Sequence, residues 1–347
     1  MSTAGRNAIS DSKEYAKQIK SLGMFERVLV EEELEGGENN RYARVSGRGV
    51  IKVVGPDAKE LLNGIVTNQM NQISCGGSGF QTAFLLGNGR VLADAFIYPE
   101  NRGPSFPASS FYIEIDALMK PDLLRLLRMH KLRSRVDIFD DVDMAIYSVW
   151  GNGVSEYLFG KPQSPMSRNL PRGSLVFKTN QIMGADVWLK DTRCPDMGLL
   201  SLPSQFIETS FENYSLRRIL LGVPEGVQDF VPRVSFPLEL NLDYTGGDAS
   251  VDRHSQFGIK SLDIVKKLPP STPDTDASTL RPRVRGRPDG KLASHIYNFG
   301  LAVLKLDSVS QLESQTGLLP FRLVLDSEES GSHNPIYILP KLPSWWP

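Results

Sequence analysis

The clearest pattern of apolar and polar positions lies at 79–98. Two apolar runs, 80–86 (Phe-Gln-Thr-Ala-Phe-Leu-Leu) and 91–98 (Val-Leu-Ala-Asp-Ala-Phe-Ile-Tyr), flank Gly87-Asn88-Gly89. Apolar runs around an Asn-Gly turn predict a β-hairpin. Both faces of both strands are largely apolar, so the hairpin is expected deep in the fold. One ionisable group interrupts it: Asp94 shares a strand face with Leu92, Phe96 and Tyr98. A carboxylate buried there costs several kcal/mol unless it is paired, roughly the price of any unsatisfied buried charge. Either backbone N–H groups or an arginine satisfy it, or it faces a ligand pocket.

Around the hairpin the pattern predicts a strand at 50–54. Gly55-Pro56-Asp57 then opens a helix with Leu61, Leu62, Ile65 and Val66 as its buried stripe. Thr67-Asn68 ends that helix and directs Asn68 toward a loop at 70–79. A strand with alternating acids follows at 111–116, then a helix at 121–131 with Leu123, Leu124 and Leu127 inward. Strands are expected at 136–139, 144–149, 175–177 and 185–189, and a helix at 204–221 that Gly222 caps. The order predicts an α+β fold with antiparallel sheet and helices on one side. Beyond Phe236 the texture changes. A Pro/Ser/Thr/Asp-rich linker at 269–279 precedes short strands at 301–306, 321–325 and 336–339, the pattern of a small β-barrel or sandwich. The organisation is therefore a polar extension at 1–40, an α+β region at 41–245 and a small β-barrel or sandwich at 246–347.

Composition narrows the function. The chain of 347 residues carries 39 Lys plus Arg against 40 Asp plus Glu, a balance that does not suggest nucleic-acid or membrane binding. No apolar run reaches the roughly 18 residues of a membrane span. The basic residues around the helix at 121–131 and the alternating Arg281, Arg283, Arg285 and Arg287 read as solvated faces, with anion binding as the other reading. Two cysteines, Cys75 and Cys194, make no disulfide framework. They cannot alone hold an iron–sulfur cluster, which takes about four ligands. The start of the chain at 1–40 is polar and mixed in charge, with an acidic stretch at 31–40, and does not read as a mitochondrial transit peptide.

Several short stretches, taken in order, resemble one family. They are Val53-Val-Gly-Pro-Asp-Ala58, Leu61-Leu-Asn-Gly-Ile-Val-Thr-Asn68, Gly89-Arg-Val-Leu-Ala-Asp94, Lys131-Leu-Arg-Ser-Arg-Val-Asp137, Asp191-Thr-Arg193 with Gly198, Gly222-Val-Pro-Glu-Gly226, Phe236-Pro with Asn241-Leu-Asp243, and Trp345-Trp346-Pro347. Together they resemble the YgfZ/glycine-cleavage T-protein superfamily, on its mitochondrial iron–sulfur assembly branch. The resemblance implies two ferredoxin-like α+β lobes plus a C-terminal β-barrel in a three-lobed ring, with a folate-sized pocket at the centre. It also implies that Asp94 and Tyr98, four residues apart on one strand face, address one ligand. Asn68 and Gln81 complete the candidate ligand set.

The resemblance further implies a mitochondrial matrix factor that helps A-type carrier proteins mature four-iron four-sulfur enzymes such as aconitase and lipoate synthase. On this reading tetrahydrofolate is the candidate small ligand, and any cluster takes partner ligands. The alternative is a folate-dependent aminomethyl or one-carbon transferase of the T-protein type; a scaffold that keeps only the fold is a third reading. The chain departs from the family pattern at Gln81, where T-proteins often carry a Tyr, and at Leu220-Leu221, where they carry an acid. It also lacks the Cys-bearing signature that the YgfZ branch carries after Asn241-Leu-Asp243.

Overall fold

A computed structural model describes residues 40–101, 103, 106–142, 144–151, 154, 175–178, 185–190, 204–242, 257–265, 290–296, 299–305, 321–323 and 336–341. The turn at 191–198, the linker at 269–279, the alternating arginines and nearly all of the 1–40 extension lie outside these residues.

The described strands form three five-stranded sheets. The first contains β2 (Arg48–Val54), β3 (Phe80–Leu85), β4 (Val91–Pro99), β5 (Ser110–Asp116) and β6 (Asp137–Val142), in the order β3-β4-β5-β2-β6. All its pairings are antiparallel. The second contains β1 (Asn40–Arg44), β7 (Met144–Trp150), β8 (Leu175–Lys178), β9 (Ala185–Lys190) and β10 (Phe206–Glu208), in the order β10-β1-β7-β9-β8. The third contains β11 (Phe257–Val265), β12 (Gly290–Ile296), β13 (Phe299–Lys305), β14 (Phe321–Leu323) and β15 (Ile336–Lys341), in the order β12-β13-β11-β15-β14. Three α-helices are described: α1 (Ala58–Asn63), α2 (Lys120–Lys131) and α3 (Phe211–Leu220).

The expected hairpin is β3 and β4. Its turn closes with Leu86 N–H on the Arg90 carbonyl at 2.9 Å and Gly89 N–H on the Leu86 carbonyl at 2.8 Å. Gly89 takes φ +75°, a left-handed conformation that glycine adopts without a Cβ penalty. Every residue of β4 is buried, as two apolar faces require.

The two faces of the first sheet differ. Ile51, Val53, Phe84, Ala95, Ile97, Ile113 and Ile115 pack under Leu61 and Leu62 of α1 and Leu123 and Leu127 of α2. Each fully buried leucine there contributes about 2 kcal/mol. The opposite face carries Val50, Phe96, Tyr98 and Tyr112. It packs against Ala43, Ile146 and Trp150 of the second sheet and against Tyr214 and Val223. The third sheet lies on α3, where Ile219 meets Leu301, Ile296 and Phe299.

Three sequence expectations change. The helix expected at 204–221 is the short strand β10 followed by α3, and Ser210 Oγ accepts Asn213 N–H at 3.4 Å to start the helix. An N-cap serine ahead of an apolar stripe marks that boundary. Helix α1 ends at Asn63, before Ile65 and Val66. There the backbone turns onto β3 instead: Val66 bridges Phe84, and Thr67 N–H reaches the Ala83 carbonyl at 3.0 Å. Strand β11 lies where the sequence pattern predicts no strand, and its pairing with β13 and β15 forms it.

Candidate functional site

The register of the first sheet assembles the candidate site. Ala83 lies opposite Asp94, and Gln81 opposite Phe96. Phe96 lies opposite Glu114, and Tyr98 opposite Tyr112. On the next strand, Arg48 faces Asp116 and Val50 faces Glu114. Residues directly opposite share a face. Gln81, Asp94, Phe96, Tyr98, Tyr112, Glu114 and Arg48 therefore all belong to the face turned away from α1 and α2.

Arg48 is the centre of that face. Its side chain, 3% exposed, sits 3.2 Å from Asp94 Oδ2 through Nη1 and 3.1 Å from Glu114 Oε1 through Nε. Glu225 Oε1, from the loop after α3, lies 3.5 Å from the same Nε. Tyr98 donates its hydroxyl to Glu114 at 3.4 Å, and Tyr214 donates to Glu225. The loop also meets the sheet through its backbone. Gly226 N–H binds Asp94 Oδ1 at 3.2 Å, and Val227 N–H binds Asp116 Oδ2 at 3.0 Å. Gly226 has φ +71°, and a Cβ there would stand 2.6 Å from Asp116 Oδ2. Only glycine fits so close to the carboxylate.

Three carboxylates surround one guanidinium in a buried place. Burial disfavours the charge of Arg48, but Glu225, Asp94 and Glu114 more than offset it and hold the guanidinium charged. Burial raises Asp94 above the usual carboxylate range, against the opposing pull of Arg48. Burial likewise pushes Glu114 up to about 7. Arg48 Nη2 is buried with no hydrogen-bond partner.

A second buried arginine lies at the other end of the same loop. Arg218 of α3 binds Asp229 and, at 2.9 Å, the Val223 carbonyl. Asp229 also takes Glu225 N–H at 2.7 Å, Ser294 N–H at 3.2 Å and the Ser294 hydroxyl. The segment 222–229 is thus fixed to the first sheet near Arg48 and to α3 and the third sheet at Asp229.

The four residues singled out from sequence divide. Asp94 (1% exposed), Tyr98 and Gln81 share the face described above. Asn68 is set at its margin. Its side chain donates to the Gln81 carbonyl at 3.1 Å and accepts Gln69 N–H at 2.8 Å and Gln72 Nε2 at 2.9 Å. It ties the 3₁₀ turn at Met70–Ile73 to β3. Of the two open readings of Asp94, the structure supplies the partners of the first, an arginine and a backbone N–H. Sequence reasoning did not single out Arg48, Glu114 or Glu225. The alternating acids of β5 contain Glu114 and the Gly222-Val-Pro-Glu-Gly226 motif contains Glu225, but neither local pattern links them to Asp94, and Arg48 has no local signal.

Among the described residues no group of His, Cys, Asp and Glu is arranged to hold a metal ion. No described helix is long and apolar enough to cross a membrane. Cys75 is an exposed free thiol.

No protein-family model matches the chain. Among solved structures, the glycine cleavage system aminomethyltransferase T of Bartonella henselae superposes with a TM-score of 0.60 at 10% identity, over 93% of this chain and 91% of that one. That likeness shows a mixed α+β fold of the aminomethyltransferase T type. Among curated proteins, the mitochondrial iron-sulfur cluster assembly factor IBA57 homolog of Neurospora crassa is 31% identical over 215 residues. The chain resembles the iron–sulfur assembly branch. The resemblance read from the sequence is borne out by the curated relatives, and the solved structure agrees with it in fold. The Neurospora match takes in 59% of this chain and 46% of that relative, so it spans under half of the relative's length. The homolog of Pyricularia oryzae is 28% identical over 78% of this chain and 73% of its own length. The homolog of Mycosarcoma maydis is 26% identical over 88% of this chain and 85% of its own.

Proposed function

We propose that this protein is a mitochondrial iron–sulfur cluster assembly factor that works in the matrix on the maturation of four-iron four-sulfur proteins. The observation that carries the proposal is the similarity to fungal IBA57 homologs, which reaches 78–88% of the chain in several relatives, on a T-protein fold. The partners are A-type carrier proteins, which supply the cluster ligands that two cysteines cannot. The three sheets stand for the lobes of a ring, the third of them a barrel, around the Arg48 face.

That face is the ligand site in this reading, with Asp94, Tyr98, Gln81 and Asn68 as the residues that would hold tetrahydrofolate, a carrier of one-carbon units. Its donor set suits a pterin. Carboxylates accept from amino and ring N–H groups, the guanidinium donates to a ring carbonyl, and Phe96 and Tyr98 offer aromatic surface. The unpartnered Nη2 of Arg48 supports this fit.

The test is complementation in a fungal host that lacks its own factor of this kind, with the chain fused to a matrix-targeting leader. Restored aconitase activity and protein lipoylation are expected. Absence of both, with the protein folded and present in the matrix, overturns the proposal.

A further inference from the structure

The ligand face is covered. The loop 222–229 lies on it, and both oxygens of Asp94 are already engaged, one by Arg48 and one by the Gly226 amide. A ligand that uses Asp94 must displace that amide. The two ends of the loop are held by unlike means. At Asp229 one carboxylate meets one guanidinium and three further donors. At Arg48 three carboxylates share one guanidinium, and one of the three, Glu225, belongs to the loop itself.

We propose that the loop 222–229 is a proton-coupled latch: a proton shared within the Arg48 cluster holds its Glu225–Gly226 end on the sheet, and loss of that proton releases it while Asp229 stays as the anchor. This deepens the ligand-face reading and rests on it for its purpose, since release frees the Asp94 oxygen held by Gly226 and the Glu225 side of the Arg48 cluster.

Glu114 is met directly by Arg48 from β2 and Tyr98 from β4. Asp94 from β4 and Glu225 from the loop share the same guanidinium, and Tyr214 from α3 holds Glu225. Asp116, on the same strand as Glu114, holds Val227 N–H. With all three acids of the cluster charged, one guanidinium in direct contact serves three carboxylates, Arg218 acting on Glu225 only from a longer range, and like charges in a buried place disfavour ionisation. Opening lets water and distance relieve that repulsion. The sign follows. Glu114 binds its proton more tightly when the latch is closed, with an affinity near pH 7 against an ordinary value near 4.5. Between those two values closing takes up a proton. The opening constant therefore rises up to about tenfold per pH unit across that window and levels off above it.

Two amides report directly on the latch, Gly226 N–H on Asp94 and Val227 N–H on Asp116. Ser294 N–H, held by Asp229, reports on the anchor. Residue-resolved hydrogen exchange of the full chain without ligand, corrected for the intrinsic pH dependence of exchange, is the experiment. Protection of Gly226 and Val227 is expected to fall up to about 100-fold from pH 5 to pH 7, the tenfold-per-unit limit over two units, while Ser294 does not follow. Glu114→Gln is expected to flatten the profile. If that variant does not fold, Glu225→Gln, which removes the loop's own charge, is expected to reduce the slope. A flat wild-type profile overturns the latch, and so does a slope left unchanged by the substitution that folds. Because no ligand enters, the two readings fail separately. A flat profile with tetrahydrofolate binding intact removes only the latch. A sloping profile without such binding removes only the ligand site.

Discussion

Arg48 and Arg218 are both buried in ion pairs, yet they are built differently. Arg218 has one acid in direct contact, Asp229, with Glu225 acting from a longer range. The Asp229 oxygens are also taken by the Glu225 and Ser294 amides and the Ser294 hydroxyl. That arrangement is balanced in charge and dense in hydrogen bonds, which is what makes a buried pair tolerable. Arg48 has three acids and an idle Nη2. Its cluster is unbalanced and incompletely bonded, the state expected where a protein keeps chemistry in reserve. The first arrangement joins α3 to the third sheet. The second lies on the face that the family resemblance marks as the ligand site. The two buried arginines thus differ in the ratio of charges around them and in the completeness of their bonding.

Substitutions can break the contrast, the largest first. Arg48→Met strands three carboxylates in a dry place. It is expected to cost stability at the upper end of about 3–5 kcal/mol at pH 7.5, the usual scale for orphaning a buried charge, and less at pH 5. Urea unfolding at the two pH values measures this. Asp229→Ala orphans Arg218 together with the Ser294 and Glu225 amides. It is expected to cost about 3 kcal/mol and to detach the third sheet from α3, visible as a separate, earlier melting step in calorimetry. Glu114→Gln is the mildest, because the amide oxygen still accepts from Arg48. Within about 0.5 kcal/mol, stability is expected to be unchanged at pH 5, the size of an ordinary neutral substitution. The wild-type carboxyl has its folded pKa raised to about 7, so wild-type stability falls as pH rises from about 4.5 to about 7. The variant lacks that fall, and chemical unfolding across the range shows whether it does.

Legibility in the sequence followed the range of the interactions. The hairpin was legible because its turn and both strands are contiguous, and Asp94 stood out because it broke an apolar face. Its partners were not legible. Arg48 opens β2 without an apolar pattern to mark it, and it meets Asp94 only because β5 lies between their strands. Glu225 and Gly226 stand more than 130 residues away, and nothing local says that a loop after a helix returns to the first sheet. Strand β11 was missed because its pairing partners are distant segments. The helix start at Ser210 was missed because an amphipathic stripe extended through the short strand before it.

The most direct measurement is calorimetric titration of the folded chain with tetrahydrofolate at pH 7.5, beside Asp94→Ala checked for a native near-ultraviolet spectrum. Micromolar binding by the wild type, lost in the variant, is the predicted result and fixes the Arg48 face as the ligand site. No heat from a folded wild-type protein contradicts it and moves the site of function to the surfaces that meet other proteins.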